Sequence, residues 1–213
     1  MTANVWNDRA EAYRQSEAHR EGPDLDLIVE WAEGARTAVD VASGGGHVAR
    51  RLRKSGLSVV TVDPAPGMRA DVQAAAEDLP FADGSFDLAA CRVAAHHFVD
   101  VAAAVRELAR VAADRVLVVD NLDMGEAAEE AERLRDPSHV RNYDEAEWRR
   151  LFEEAGLRVE EVRVFERPID LEAWLERAGC RGREAERVRE LMGDHVDGDR
   201  IKLDRIALKG VHA

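Results

Sequence analysis

Thr37-Ala38-Val39-Asp40-Val41-Ala42-Ser43-Gly44-Gly45-Gly46 runs from a short apolar, β-branched stretch straight into three glycines. Residues 37–42 have the composition of a buried strand, and 43–46 supply a turn that ends it. Beyond the turn, Val48 and Leu52 fall four apart and Gly56 stands as a stop, which predicts an exposed helix. Residues 57–62, LSVVTV, follow as a second strand, and Asp63-Pro64 closes it with a polar cap and a residue that lacks a backbone donor. Strand, glycine turn, helix and strand in that order aim backbone N–H groups and a helix N-terminus at the carboxyl edge of a parallel sheet. Asp63 ends the second strand, 23 residues after Asp40, where a carboxylate can accept hydrogen bonds from both hydroxyls of a ribose. A nucleoside ligand follows. The spacing is not that of a dinucleotide fingerprint, because Ala42 and Ala49 stand where its first glycine and last small residue would fall. Nor does a phosphate-binding lysine follow Gly46, where His47 and Val48 stand, so an NAD-linked oxidoreductase or a nucleotide-triphosphate site is disfavoured.

Outward from this unit the alternation continues. Residues 86–91 and 115–120 read as buried strands separated by a helix over 101–113, with apolar positions 101, 105, 108 and 111. Upstream, Ala10, Tyr13 and Glu17, then Leu25, Ile28, Val29 and Ala32, predict two helices before Gly34. Downstream, 125–136 and 143–155 read as helices, 157–165 as a strand, and 171–192 as helix interrupted near Gly179 and Gly182; 201–211 alternates like a final edge strand. The expected fold class is α/β: a doubly wound, mostly parallel sheet with an antiparallel C-terminal edge strand and helical additions at both ends. With 213 residues the chain is expected to form one domain, with N-terminal lid helices over 1–33, a cofactor-binding half over 34–122 and acceptor-side helices and last strands over 123–213.

Forty-three acids against 30 bases give a net charge of -13, which repels polyphosphates, excludes a general nucleic-acid binder and favours a small or neutral ligand. Cys91 and Cys180 are too few for a disulfide scaffold or a four-cysteine zinc site. No H-x3-H or H-E-x-x-H spacing appears among the seven histidines, so no metal is expected. No apolar run approaches the ~20 residues that cross a bilayer, and none resembles a signal peptide; a cytoplasmic protein with no membrane partner is expected. Lysine is confined to Lys54, Lys202 and Lys209, which we read as a coding bias toward arginine.

Taken together, Val39–Gly46, Asp63, Glu77-Asp78-Leu79-Pro80-Phe81, Asp83-Gly84-Ser85-Phe86-Asp87 and Cys91-Arg92-Val93-Ala94-Ala95-His96-His97-Phe98 form an ordered set of motifs. The set resembles that of class I S-adenosylmethionine-dependent methyltransferases of the type-11, ubiquinone/menaquinone-biosynthesis-like group, with their Rossmann-like sheet. Ala12-Tyr13, Ser16, His19, Gly22, Asp24-Leu25, Asp136-Pro137-Ser138-His139 and Trp148 extend the likeness over nearly the whole chain. The resemblance implies S-adenosyl-L-methionine as cofactor, with Asp40, Ala42, Ser43, Gly44 and Gly46 at its methionine end, Asp63 on the ribose, and Ala76 and Glu77 beside the adenine. It places Arg92, His96 and His97 after a strand end that faces the sulfonium and a small-molecule acceptor. Tyr13, His96, His97 and His139 are then the candidates for catalysis, and His19 and Asn121 for further acceptor contacts.

The chain departs from the family pattern in three ways. Ala42 replaces the first glycine, Ala75 stands where an acid normally meets the adenine amino group, and ten residues between Asp63 and Ala74 replace a crossover helix. Ten residues reach roughly 33 Å, more than the ~17–20 Å of a strand, so an extended return is expected. That shortening exposes apolar surface at a third strand around Val72 and Ala74 to Ala76, to be covered by the N-terminal helices or by a homodimer partner. The competing reading is a degenerate nucleoside-binding or scaffolding protein of the same fold without catalysis.

Overall fold

The computed structural model describes Trp6 and residues 20–213. The unit at 37–62 folds as its sequence indicates: β1 (Thr37–Val41), α1 (His47–Lys54) and β2 (Ser58–Val62), with β2 parallel to β1. Val48, Ala49 and Leu52 form the buried face of α1. β3 (Phe86–Arg92) pairs with the other side of β1, and β4 (Ala112–Asn121) continues the parallel sheet. Between them α2 (Val101–Val111) buries positions 101, 104, 105, 108 and 111, and its N-cap Asp100 accepts from Ala103 N–H at 2.9 Å. Upstream, α3 (Pro23–Trp31) is the second of the two expected N-terminal helices; the first falls outside the described residues, as do Tyr13, Ser16 and His19.

The six-stranded sheet has the order β2-β1-β3-β4-β9-β5, where β5 is Leu157–Phe165 and β9 is Arg205–His212. The expected C-terminal antiparallel strand is present, but 201–211 is not one edge strand. It divides at Leu203-Asp204: β8 (Arg200–Lys202) joins a small sheet with β6 (Pro168–Asp170) and β7 (Val196–Asp197), while β9 inserts antiparallel between β4 and β5. The reason lies in side-chain polarity. Arg205 to Leu208 are buried on both faces of β9, whereas β5 carries Arg158, Glu160, Glu161 and Arg163, charges that an edge strand leaves in water.

Two apolar layers sandwich the sheet. On one face Val39, Val41, Ala89, Cys91 and Val118 pack under α2 and under Trp148 and Phe152 of α4 (Glu145–Glu154). On the other, Ala38, Leu88, Ala90, Leu117 and Val119 pack under α3 and α1. A third cluster joins α5 (Glu126–Arg135), α6 (Leu171–Ala178) and α7 (Gly182–Met192) above the small sheet. The connection after β2 contains one 3-10 turn, Pro66–Met68, and no crossover helix. Where a third strand was expected there is a single parallel bridge, Val62 to Val72. The Asp71 carboxylate supplies the pairing that a strand would have, accepting from Thr61 N–H at 2.9 Å and from its hydroxyl at 2.7 Å.

Candidate active site

β2 leaves one side of β1 and β3 returns on the other, so the strand order reverses between β1 and β3, where an open α/β sheet forms a ligand crevice at its carboxyl ends. A cavity of about 310 Å³ lies there and runs along the carboxyl edge from β2 to β9. At its β2 end the Asp63 carboxylate accepts from Gly44 N–H and from Ala65 N–H, both at 2.9 Å, which fixes its plane. Burial raises its pKa against those two bonds. Gly44 has φ 50°, and a Cβ added there would find its nearest neighbour 4.0 Å away, so backbone conformation rather than crowding demands the glycine. Ala42 adopts φ 53° without being glycine. Asp40, at the end of β1, accepts from Ala49 N–H at 3.0 Å; burial, with Asp63 adding to it, pushes its pKa up to about 7.

Ala42, Ser43, Gly44, Asp40, Asp63, Ala76, Glu77, Arg92, His96 and His97 all line the cavity, so one wall gathers most of the residues singled out in the sequence. Gly46 does not line it; with φ 70° it is the N-cap of α1, and its N–H bonds Ser43 O at 2.7 Å. His139 is buried behind the wall, its ring 5.6 Å from that of His96 and 6.4 Å from that of His97. Its Nε2 faces Glu129 Oε2 at 3.2 Å.

The loop after β3 is held under strain. Val93 has φ 55°, a conformation that a β-branched residue rarely adopts, and its N–H bonds Val119 O at 2.7 Å. The following turn, Ala95–His97, presents two histidines with opposite properties. His96 Nδ1 lies 2.5 Å from Asp120 Oδ1, and its own backbone N–H donates to Asp120 Oδ2 at 2.9 Å. Burial pulls the His96 pKa down, but the Asp120 charge and hydrogen bond outweigh it, leaving the ring more basic than an ordinary histidine. His97, whose Nδ1 lies 3.0 Å from Ser138 O, is pushed down to about 3 by burial and then by the charge on His96. His97 is therefore neutral at neutral pH. Cys91 is fully buried behind this loop, and burial pushes its thiol pKa well up, as befits a packing residue.

Several residues in or behind the wall have no sequence spacing that assigns them to a site. Asp24, in the first turn of α3, sits against Arg92 Nε at 2.8 Å, Arg205 at 2.9 Å and Arg167 at 3.1 Å. Arg135 stacks on Trp174 at 4.3 Å and pairs with Glu132 at 3.0 Å. Trp6 packs edge-on to His97, ring centres 4.7 Å apart. Arg167 and Arg205 come from the β5–β6 connection and the start of β9, too far along the chain for spacing to link them to the glycine turn. Among the described residues no group of three or more histidine, cysteine or acidic side chains is arranged to hold a metal, and no helix is long and apolar enough to cross a membrane.

Comparison with known proteins bears directly on this edge. A methyltransferase-domain family model matches residues 39–119, the stretch from β1 to β4. The uncharacterized methyltransferase YcgJ of Bacillus subtilis is 34% identical over 198 residues, covering 82% of this chain and 78% of its own. The chain belongs to the methyltransferase family. The crystal structure of YcgJ superposes with a TM-score of 0.79 at 28% identity, covering 89% of this methyltransferase-family chain and 97% of its own. That of a Bacillus halodurans protein described as a putative methyltransferase gives 0.77 at 28% identity, covering 89% and 99%. At the level of fold alone, the magnesium protoporphyrin IX methyltransferase of Synechocystis, solved with bound S-adenosylhomocysteine, gives 0.64 at 13% identity, covering 99% and 98%.

Proposed function

We propose that this methyltransferase-family chain uses S-adenosyl-L-methionine to methylate a small-molecule acceptor (EC 2.1.1.-). The observation that carries the reading is Asp63, a buried carboxylate at the end of β2 whose plane is fixed by two backbone N–H groups in the wall of the cavity. Each of its oxygens keeps a lone pair for a ribose hydroxyl. The open space at Gly44 and the left-handed turn from Ala42 to Gly46 fit a nucleoside ligand whose amino-acid tail runs along the backbone. Ala76 and Glu77 would flank the adenine, with Ala75 leaving that wall open. When bound, the cofactor would supply a methyl group on positively charged sulfur, the electrons of the broken C–S bond staying behind as a neutral thioether.

The remaining work falls to the protein: orientation, exclusion of water and removal of one proton. Asp120 holds His96 with its proton on Nδ1, which leaves Nε2 as the acceptor for a proton released by the nucleophile. His97, neutral at neutral pH, shapes the wall and packs against Trp6. His139 would orient this pair from behind. The relatives named above are bacterial methyltransferases, which supports a cytoplasmic setting.

Calorimetric titration with S-adenosylhomocysteine tests the reading. We expect saturable binding, about 1:1. No heat at millimolar ligand would remove the enzyme and favour a scaffold that retains only the fold.

A further inference from the structure

The cavity is electrically divided. Among the described residues, its wall around β1, β2 and the link after them holds Asp40, Asp63 and Glu77 and no arginine. The remainder, from β3 to β9 and the small lobe, is lined by Arg92, Arg135, Arg167, Arg177 and Arg205 and, among the described residues, by no carboxylate; behind the lining the single Asp24 carboxylate is shared by Arg92, Arg167 and Arg205, and Glu132 pairs with Arg135. Such a cluster runs against a net charge of -13. The β9 end lies four strand intervals from Asp63, roughly 19 Å at ~4.8 Å per interval, and so belongs to the acceptor rather than to the nucleoside.

Arg205 and Asn121 form the centre of this end. They face each other across the β4–β9 ladder, are 6% and 9% exposed, and both line the cavity. Arg205 Nε and Asn121 Oδ1 are each buried without a hydrogen-bond partner. Buried donors and acceptors are nearly always paired, and two unpaired groups on neighbouring residues that line a cavity are ones a ligand can complete once the side chains turn toward it. A guanidinium beside a side-chain amide matches a carboxylate: one oxygen takes the Arg205 N–H and the other the Asn121 NH2 once that amide turns over. Around them Ile169, Trp174 and Leu203 offer apolar lining.

We propose that the methyl acceptor is an organic acid whose carboxylate is received by Arg205 and Asn121, with its apolar or aromatic body against Trp174, Ile169 and Leu203. The inference rests on the methyl-transfer reading, and its test separates the two. Benzoate and its neutral isostere benzamide are titrated calorimetrically into the full chain saturated with S-adenosylhomocysteine. We expect benzoate to bind at least about tenfold more tightly, the scale of one charge-assisted hydrogen bond. That preference should largely vanish in Arg205→Met and in Asn121→Leu, with S-adenosylhomocysteine affinity held within about twofold. Asn121→Leu keeps the test intact if Arg205→Met, which strips a partner from Asp24, does not fold. Equal binding of the two probes, or a preference that survives both substitutions, overturns the proposal. So does a parallel loss of S-adenosylhomocysteine affinity, which would assign these groups to the cofactor's own carboxylate. If S-adenosylhomocysteine does not bind the unsubstituted chain, the proposed function fails, and the same probes on the free protein still decide the acid site.

Discussion

In the proposed reaction Asp63 and His96 are the two side chains on which the chemistry turns, the first oriented by Gly44 and Ala65 N–H and the second by Asp120. Replacing Asp63 with alanine removes a carboxylate already desolvated and oriented, so S-adenosylhomocysteine binding should weaken by about 1.5–3 kcal/mol, the scale of hydrogen bonds to a charged group. An affinity within a factor of two of the parent chain would show that the ribose lies elsewhere. For His96 the sign of the pH effect follows from Asp120. The folded pKa is raised above the ordinary 6.5, so the charged ring stabilises the fold fully below that value, and the contribution fades as pH rises through the folded pKa. A base must be neutral, so turnover should rise with pH through a step above 6.5. Asp120→Asn should move that step to lower pH while reducing the plateau, and a pH–rate profile without such movement would separate the pair from proton transfer. His96→Ala should lower kcat by about 10² and leave cofactor affinity nearly unchanged, whereas His97, already neutral, should matter less for the pH step.

At the scale of the element, the turn between β1 and α1 does the positioning. It turns the chain within five residues, 42–46, by placing Ala42, Gly44 and Gly46 at positive φ. Glycine accepts that conformation without cost, while an alanine pays about 1–2 kcal/mol, part of which glycine returns through its freer unfolded chain. Ala42→Gly should therefore stabilise the chain by about 1 kcal/mol, raising the thermal midpoint by ~2–4 °C for a domain of this size. A midpoint unchanged or lowered by the substitution would mean that the alanine methyl makes contacts worth its strain. The β9 register is the other decisive element, because Arg205 opposes Asn121 only when this strand lies between β4 and β5.

At the scale of the molecule, the shortened link after β2 bears on association. Val72 and Ala74 are half-buried and Ala76 is buried, while Ala65 and Met68 pack with Trp6, all within one chain. The link thus covers much of the surface that a homodimer was expected to shield, and a net charge of -13 opposes self-association. Static light scattering should accordingly return the mass of a single chain; a dimer that persists on dilution would locate a surface other than this link. The parallel α/β core, the glycine turn and the position of Asp63 were legible because each depends on local pattern: two-residue or helical periodicity, a turn that needs positive φ, an acid at a strand end; the histidine pair stood out only through the family resemblance. The division of 201–211 into two strands was not legible, since alternation marks a strand without saying which neighbours it pairs with. Nor was the arginine cluster: of Arg92, Arg135, Arg167, Arg177 and Arg205 only Arg92 was singled out, by the family resemblance, and the five share no spacing. Local pattern by itself determined the elements and the glycine turn and strand-end acid on which the proposed cofactor end rests. Only tertiary structure decided the arginine-lined end of the cavity, proposed for the acceptor, where the insertion of β9 and the docking of α3, α5 and α6 bring residues more than a hundred positions apart together.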